Sequence, residues 1–251
     1  MRLAVIADTH GNLRALEAVL ADIATQAPDA TVDLGDCLSG PLEAAATADL
    51  LMHHGFVTVR GNHDRQLLDR SPSTMGPSDR AAYEQLDDRH RAWLATLPGT
   101  AVVGDGGGTD VLLCHGSPES DLTYLLETVS PHGMALATPA DVGARLGPTP
   151  QRIILCGHTH LPRAVTTPDG RLVVNPGSVG LQAFADDTPY PHVGSAGSPH
   201  ARYAVVDTGP RPRVSFVAVP YDWDAAAAVA ERAGQRAFAH ALATGFLPAA
   251  A

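Results

Sequence analysis

Five short polar motifs, each directly behind an apolar run, constrain this chain more than any other feature. They are Asp8-Thr9-His10, Gly35-Asp36, Gly61-Asn62-His63-Asp64, His115-Gly116 and Gly157-His158-Thr159-His160. The runs before them cover residues 3–7, 30–34, 56–60, 110–114 and 152–156. Short apolar runs bounded by turn residues read as buried strands. In an open α/β sheet, groups that follow strands meet in the crevice outside the strands' carboxyl ends. Asp, His and Asn bring oxygen and imidazole donors, a set suited to Mn, Fe, Co, Ni or Zn. The series therefore calls for a sheet fold whose strand ends converge, with a metal centre where they meet.

The spacing between motifs fills in the rest. Asn12 can cap a helix to about Thr25, with Leu13, Leu16, Val19, Leu20 and Ile23 at helical spacing. Pro41 is expected to open a second helix, to about His54. With strands over 2–7, 31–34 and 56–60, this βαβαβ order calls for a mostly parallel sheet. Residues 64–98 read as helical and stop at Pro98-Gly99.

The second half is richer in strands. They are expected at 100–103 and 110–114 around a Gly-rich turn over 104–108, as a hairpin over 165–174, and at 202–207 and 214–219. Asp224 is expected to cap an Ala-rich helix to about Thr244. Both halves supply motifs, so the reading is one domain over 1–251, with two packed sheets and helices outside. Residues 181–200, rich in Gly, Pro, Ser and Asp, read as a mobile loop, with a substrate-covering loop as the alternative.

Composition removes several function classes. The formal net charge of -10 disfavours long nucleic acid, whose phosphates are held largely by Lys and Arg. Bound cations would reverse that deficit locally, so a small anionic substrate remains compatible. Apolar stretches of five to seven residues fall far short of the ~20 needed to span a bilayer. The first strand begins at residue 2, which leaves no room for a secretory leader. Three cysteines without framework spacing point to a reducing compartment, and the expected location is the cytoplasm.

Two divalent ions about 3.5–4 Å apart can clamp the attacking and leaving oxygens of a phosphoryl group. A bridging carboxylate holds them at that spacing, and Asp36 is the candidate bridge. Asp8 and His10, two residues apart, face one side as the chain leaves its strand, and His158 and His160 repeat this from the other half. A metal-bridging hydroxide would be the nucleophile, since coordination brings the pKa of water to about 7. The leaving alkoxide still needs a proton. His63 follows Asn62, so one of the pair can bind metal while the other faces substrate.

Taken in this order, the motifs resemble the calcineurin-like metallophosphoesterases. The closest likeness is to their compact bacterial and archaeal phosphodiesterase-like branch, which also carries Asn175-Pro176-Gly177-Ser178-Val179-Gly180. The resemblance implies a four-layer α/β/β/α sandwich of two packed mixed β-sheets. It implies Asp8, His10, Asp36 and His160 on one metal, and Asp36, Asn62, His115 and His158 on the other. His63 becomes the general acid. The cofactors implied are two divalent transition-metal ions, manganese first, with Fe, Ni, Co or Zn as alternatives.

The substrate implied is a small phosphate ester, a nucleotide being one option, and a diester ahead of a monoester or phosphoprotein. A non-catalytic scaffold of the same fold is the reading from another class, and a homo-oligomer is left open. Ser/Thr phosphatases of this superfamily carry Gly-Asp-x-x-Asp-Arg-Gly at the second motif, the later Asp orienting the catalytic histidine. This chain reads Gly35-Asp36-Cys37-Leu38-Ser39-Gly40-Pro41 there. Ser39 replaces that carboxylate, and Asp64 is expected to partner His63 instead.

Cys37, Cys114 and Cys156 lie within two residues of proposed ligands, yet a packing role is expected of them. The histidines outside the motifs are expected at the surface, with His192 and His200 the ones to check near substrate. Residues 117–126, after His115, are expected on the pocket rim. Tyr124 and Tyr190 could stack on an aromatic leaving group or simply pack.

Overall fold

The computed structural model describes residues 1–104 and 110–249. The expected Gly-rich turn over 104–108 therefore lies almost wholly outside the described residues. The first third is β1 (Arg2–Ile6), α1 (Leu13–Gln26), β2 (Ala30–Asp33), α2 (Ala44–His54) and β3 (Val57–Thr58). Helices α3 (Asn62–Asp69), α4 (Pro77–Tyr83) and α5 (Asp88–Thr96) follow, with a 3-10 turn at Pro72–Thr74 between the first two.

The second half begins with β4 (Thr100–Val103), β5 (Val111–Cys114), β6 (Glu127–Ser130), β7 (Gly133–Leu136) and α6 (Pro139–Leu146). It continues through β8 (Ile153–Leu155), β9 (Arg163–Thr166), β10 (Leu172–Asn175), β11 (Ala183–Asp186) and β12 (His192–Ser195). The chain then runs through β13 (Ala201–Asp207), β14 (Arg213–Val219), α7 (Trp223–Arg232) and α8 (Arg236–Thr244). No helix among the described residues is long and apolar enough to cross a membrane.

Two five-stranded mixed sheets form, in the orders β14-β13-β1-β2-β3 and β4-β5-β8-β10-β9. Each has three parallel strands: β1, β2 and β3 in one, β5, β8 and β10 in the other. Side chains alternate across a strand, and this period of two assembles the layers. Leu3, Val5, Val32, Leu113, Ile153, Leu155 and Val174 point between the sheets and form one buried cluster. Ala4 and Ile6 point the other way, onto Leu16, Val19, Ile23 and Leu51 of the helices. Leu112, Ile154 and Val173 back the second sheet against Val142 and Leu146 of α6. The result is the expected four-layer sandwich. All five motifs leave parallel strands at their carboxyl ends.

Local chemistry explains where the elements begin. The Asn12 side chain accepts from Ala15 N (3.2 Å) and caps α1 as expected, a contact worth about 1 kcal/mol in such helices. The second helix starts at Ala44 and not at Pro41. Residues 37–43 are pinned beside the first motif, with Gly11 N donating to Cys37 O and Glu43 N to Gly11 O. A Cβ on Gly40 would collide with the carbonyl of His10, so only glycine lets this segment lie so close to the first motif.

Three further expectations are corrected. The carboxy-terminal helix is capped by Asp222 rather than Asp224, and it breaks between α7 and α8 at Ala233-Gly234, where Gly234 takes a positive φ of 75°. The helical region 64–98 is three helices with loops between. Residues 181–200 are largely a β-hairpin, β11 pairing antiparallel with β12. Its register sets Phe184 opposite Gly194, where any side chain would strike the Phe184 ring.

Candidate metal centre

The strand ends deliver the motifs into one crevice, and the backbone bends sharply to do so. Among the described residues, six non-glycine residues have positive φ, and five of them are Asp8, Asp36, His10, His158 and His160. Left-handed backbone at non-glycine residues costs of order 1–3 kcal/mol each and persists where the surroundings dictate it. Here the dictation is visible in the hydrogen bonds. Asp8 N donates to Gly35 O (2.9 Å), His10 N to Asp36 O (3.0 Å) and Gly157 N to His115 O (2.7 Å). Gly61 packs so tightly on Asp36 that a Cβ would overlap the carboxylate.

The segment after β10 acts as a strut. Asn175 Nδ2 donates to Gly157 O (2.7 Å) and to Thr159 Oγ1 (3.0 Å), while the Ser178 hydroxyl donates to Asp8 O (2.8 Å). These bonds tie the last motif of the second sheet to the first motif of the first sheet.

Seven candidate ligands are brought together: Asp8, His10, Asp36, Asn62, His115, His158 and His160. Two groups could each hold a cation, Asp8 with His10 and His160, and Asp36 with His115 and His158. The imidazole tautomers decide what the groups offer. His10 Nδ1 donates to Ser39 O, His160 Nδ1 to Leu181 O and His115 Nδ1 to Leu34 O, each at 2.7 Å. A backbone carbonyl on Nδ1 leaves Nε2 as a lone pair and aims the ring, the usual support for a metal-binding histidine.

Those lone pairs face other acceptors. His10 Nε2 lies 3.2 Å from His160 Nε2, which lies 3.4 Å from Asp8 Oδ1. His115 Nε2 lies 3.2 Å from Asp36 Oδ2 and 3.1 Å from Asn62 Oδ1. Polar groups crowded this closely and this deeply buried need protons, as on His115, or cations between them. The donor set therefore fits divalent cations.

Electrostatics follow the same arrangement. Burial and the neighbouring His160 push His10 down to about 4, and burial with His115 pushes His158 down to about 3. Both are neutral rings ready to coordinate. Burial opposes ionisation of Asp36, but His115 and His63 outweigh it and hold the carboxyl well below its usual range. Burial also lowers His115, yet the Asp36 and Asp8 carboxylates prevail and raise it to about 10.

His63 stands apart from the ligands. Its backbone N–H donates to Asp36 Oδ1 (2.9 Å), and its ring Nδ1 meets Asp79 Oδ1 at 2.7 Å. The Ser39 hydroxyl donates to the same Asp79 oxygen at 2.6 Å. Burial works against the imidazolium, but the Asp36 charge and the Asp79 hydrogen bond raise His63 to about 9. Nε2 is left to face the cavity.

The expected pairing of His63 with Asp64 is corrected here. Asp64 Oδ2 accepts from Asp36 N (2.9 Å) and Gly61 N (3.0 Å), and Oδ1 from Cys37 N (3.0 Å). Asp64 sits at the third position of α3, so its carboxylate folds back over the helix start and clamps two motifs together. Asp64 thus bonds backbone N–H groups, and the carboxylate on His63 Nδ1 is that of Asp79 in α4. The sequence carried little warning. Pro77-Ser78-Asp79 signals only a helix start with an acidic first turn.

A cavity of about 730 Å³ opens over His10, Asp36, Asn62, His63, His158 and His160. Leu122, Thr123 and Tyr124 line it, as does Phe184 of the β11–β12 hairpin. Residues 117–121 do not, and instead border a separate hollow beside Arg60. His192 is buried behind the wall, where the Tyr124 hydroxyl donates to its Nε2 (3.0 Å). His200 packs on Trp223 instead. Tyr190 is exposed and does not line the cavity. All three cysteines are buried as free thiols in the packed clusters, as expected.

The family model for the calcineurin-like phosphoesterase superfamily domain matches residues 1–193. The chain belongs to that superfamily. As a calcineurin-like phosphoesterase it is similar in structure to a metallophosphoesterase from Sphaerobacter thermophilus, at 25% identity and a TM-score of 0.75, over 98% of this chain and 99% of that one. A hypothetical protein from Pyrococcus horikoshii OT3 shares the fold at 21% identity and a TM-score of 0.72, over 97% and 98% of the two chains. No curated protein matches the chain in sequence. The superfamily is one of metal-dependent phosphoester hydrolases, and this member carries two His/Asp groups fit for metal.

Proposed function

We propose that this calcineurin-like phosphoesterase is a dinuclear metal-dependent hydrolase of phosphate esters, with phosphodiesters as its first substrates. The observation that carries the reading is the crowding of buried acceptors, Asp8, His10 and His160 beside Asp36, Asn62, His115 and His158, under a cavity that His63 also faces. Asp36 belongs to the second group, with Oδ2 3.2 Å from His115 Nε2, and is the carboxylate that would be shared with the first. Two divalent cations held there would supply Lewis acidity and lower the pKa of the attacking water.

The protein's own contribution is placement and a proton. Water adds its oxygen to phosphorus and gives up a proton, the ester P–O bond breaks in line with it, and the leaving alkoxide takes the proton of His63 Nε2, which the proton released from water restores through solvent. Asp79 holds Nδ1 and thereby turns Nε2 to the substrate, while its charge keeps the ring protonated before the bond breaks. A diester yields a phosphomonoester and an alcohol.

The test is hydrolysis of bis-p-nitrophenyl phosphate and p-nitrophenyl phosphate side by side, with Mn²⁺ restored to metal-stripped protein. Faster diester turnover is expected. A monoester preference would reassign the enzyme as a phosphatase. No cleavage of either with Mn²⁺, Ni²⁺, Co²⁺ or Zn²⁺ would leave a scaffold of this fold.

A further inference from the structure

The cavity extends well beyond the candidate metal ligands, and its far wall has a distinct chemistry. Tyr124 and Phe184 stand edge to face, ring centroids 6.3 Å apart, with Leu181, Val129 and Pro189 around them. Leu122 continues this wall outward and keeps 56% of its surface exposed. Two carboxylates, Glu127 and Asp186, also border the space.

Cations are scarce there. The chain contains no lysine, and Arg145 is the one arginine among the described residues lining the cavity. Its guanidinium is already committed. Nη1 donates to the carbonyls of Tyr124 (2.9 Å), Leu125 (3.3 Å) and Glu127 (2.7 Å), and Nη2 to Thr128 Oγ1 (2.8 Å). A second phosphate reaching this wall would meet the exposed Asp186 carboxylate and a guanidinium with its fork turned into the backbone, Glu127 being buried and paired with Arg163 (2.7 Å). An uncharged apolar group would cover Leu122 and lie against two aromatic rings.

Resting on the phosphoesterase reading above, we infer that the site selects esters with a single phosphate and an uncharged, apolar arm, and discriminates against arms that carry further phosphate. Selection comes from both an attractive wall and a repulsive charge, the usual composition of a specific site. Phe184 and Leu122 supply the first, Asp186 and the lack of a free cation the second.

Three p-nitrophenyl phosphodiesters share one scissile bond and differ in the other arm: phenyl, hexyl and 2-phosphoethyl. With Mn²⁺-loaded protein, the phenyl and hexyl esters are expected to exceed the phosphoethyl ester in kcat/KM by at least about tenfold, the scale of one well-read substrate group. Their order separates an aromatic arm from an aliphatic one. Phe184→Ala is expected to raise KM for the favoured arm several-fold more than it lowers kcat. Asp186→Arg, at an exposed position, is expected to narrow the gap by improving the phosphoethyl ester. Equal or better turnover of the phosphoethyl ester by the wild type overturns the inference and leaves the phosphoesterase reading standing, as does an unchanged ratio in Asp186→Arg. Absence of turnover with all three overturns both.

Discussion

His63 Nδ1 and Asp79 Oδ1 lie 2.7 Å apart, although sixteen positions separate the two residues and a 3-10 turn lies between their helices. The Ser39 hydroxyl completes this contact by donating to the same oxygen, from the position where the protein phosphatases carry the orienting aspartate. In this chain the carboxylate on His63 comes from α4, and Ser39 donates to it. His63 has an orienting carboxylate after all.

This relationship predicts a loss in rate without a loss of metal. Asp79→Asn is expected to lower kcat about tenfold to a hundredfold, part of the roughly 10²–10⁴ that a positioned acid supplies. KM and metal content are expected to change little, because Asp79 contacts no candidate ligand directly, only His63 and the Ser39 hydroxyl. Steady-state kinetics with elemental analysis on the same preparation checks it. Loss of metal in this variant would make Asp79 a support of the centre instead.

Asp64 is expected to behave differently. An amide at this position would turn its NH2 toward at least one of the N–H donors of Asp36, Cys37 and Gly61. Leaving a buried donor unpaired costs about 1–3 kcal/mol. Asp64→Asn should therefore lower the denaturant midpoint clearly, while its loss of kcat stays smaller than that of Asp79→Asn. The reverse ranking would return Asp64 to the role expected from sequence.

Removing the charge of Asp36 tests the bridge. Asp36→Asn keeps the volume but gives up the carboxylate that faces His115 and accepts from His63 N–H. Both metal equivalents are expected to fall, as read by elemental analysis after equilibration with Mn²⁺. Loss of only one equivalent would show that Asp36 serves a single ion.

A fourth prediction concerns pH. Burial raises the Asp33 carboxyl to about 8, with Asp64 and Asp8 adding to the effect and a hydrogen bond from Gly35 N opposing it. Between its unfolded value near 3.8 and about 8, the folded chain holds a proton that the unfolded chain has released. Stability from this group is present below about 4 and is lost as pH rises through 8. Chemical denaturation of metal-stripped protein should show a fall in stability from pH 6 to 9, to which His63 and His115, raised to about 9 and about 10, also contribute, and Asp33→Asn should make it shallower. An equal slope in the variant would assign the fall to another group.

What could be read from the sequence depended on whether each signal was local. The sheets were legible because each parallel strand is a short apolar run with a turn behind it, and the period of two puts Leu3 and Val5 in one layer and Ala4 and Ile6 in another. The convergence of the seven candidate ligands was legible for the same reason, each following a strand end. Asp79 was not, since nothing in Pro77-Ser78-Asp79 says that α4 will pack its first turn against His63. The hairpin over β11 and β12 was missed because Gly194, Pro189 and Pro191 hide its alternation, and the pairing is settled by Phe184 covering Gly194. The break between α7 and α8 was hidden by the alanines on either side of Gly234.

The central claim is that the crowded acceptors hold two cations that the enzyme needs for phosphoester cleavage. Its most direct test is a titration of metal-stripped protein with Mn²⁺, following bound metal by elemental analysis and bis-p-nitrophenyl phosphate hydrolysis in the same samples. Binding should saturate at two equivalents per chain, with hydrolysis rising as the second equivalent fills. Saturation at one equivalent, or two bound equivalents without hydrolysis, would contradict the account.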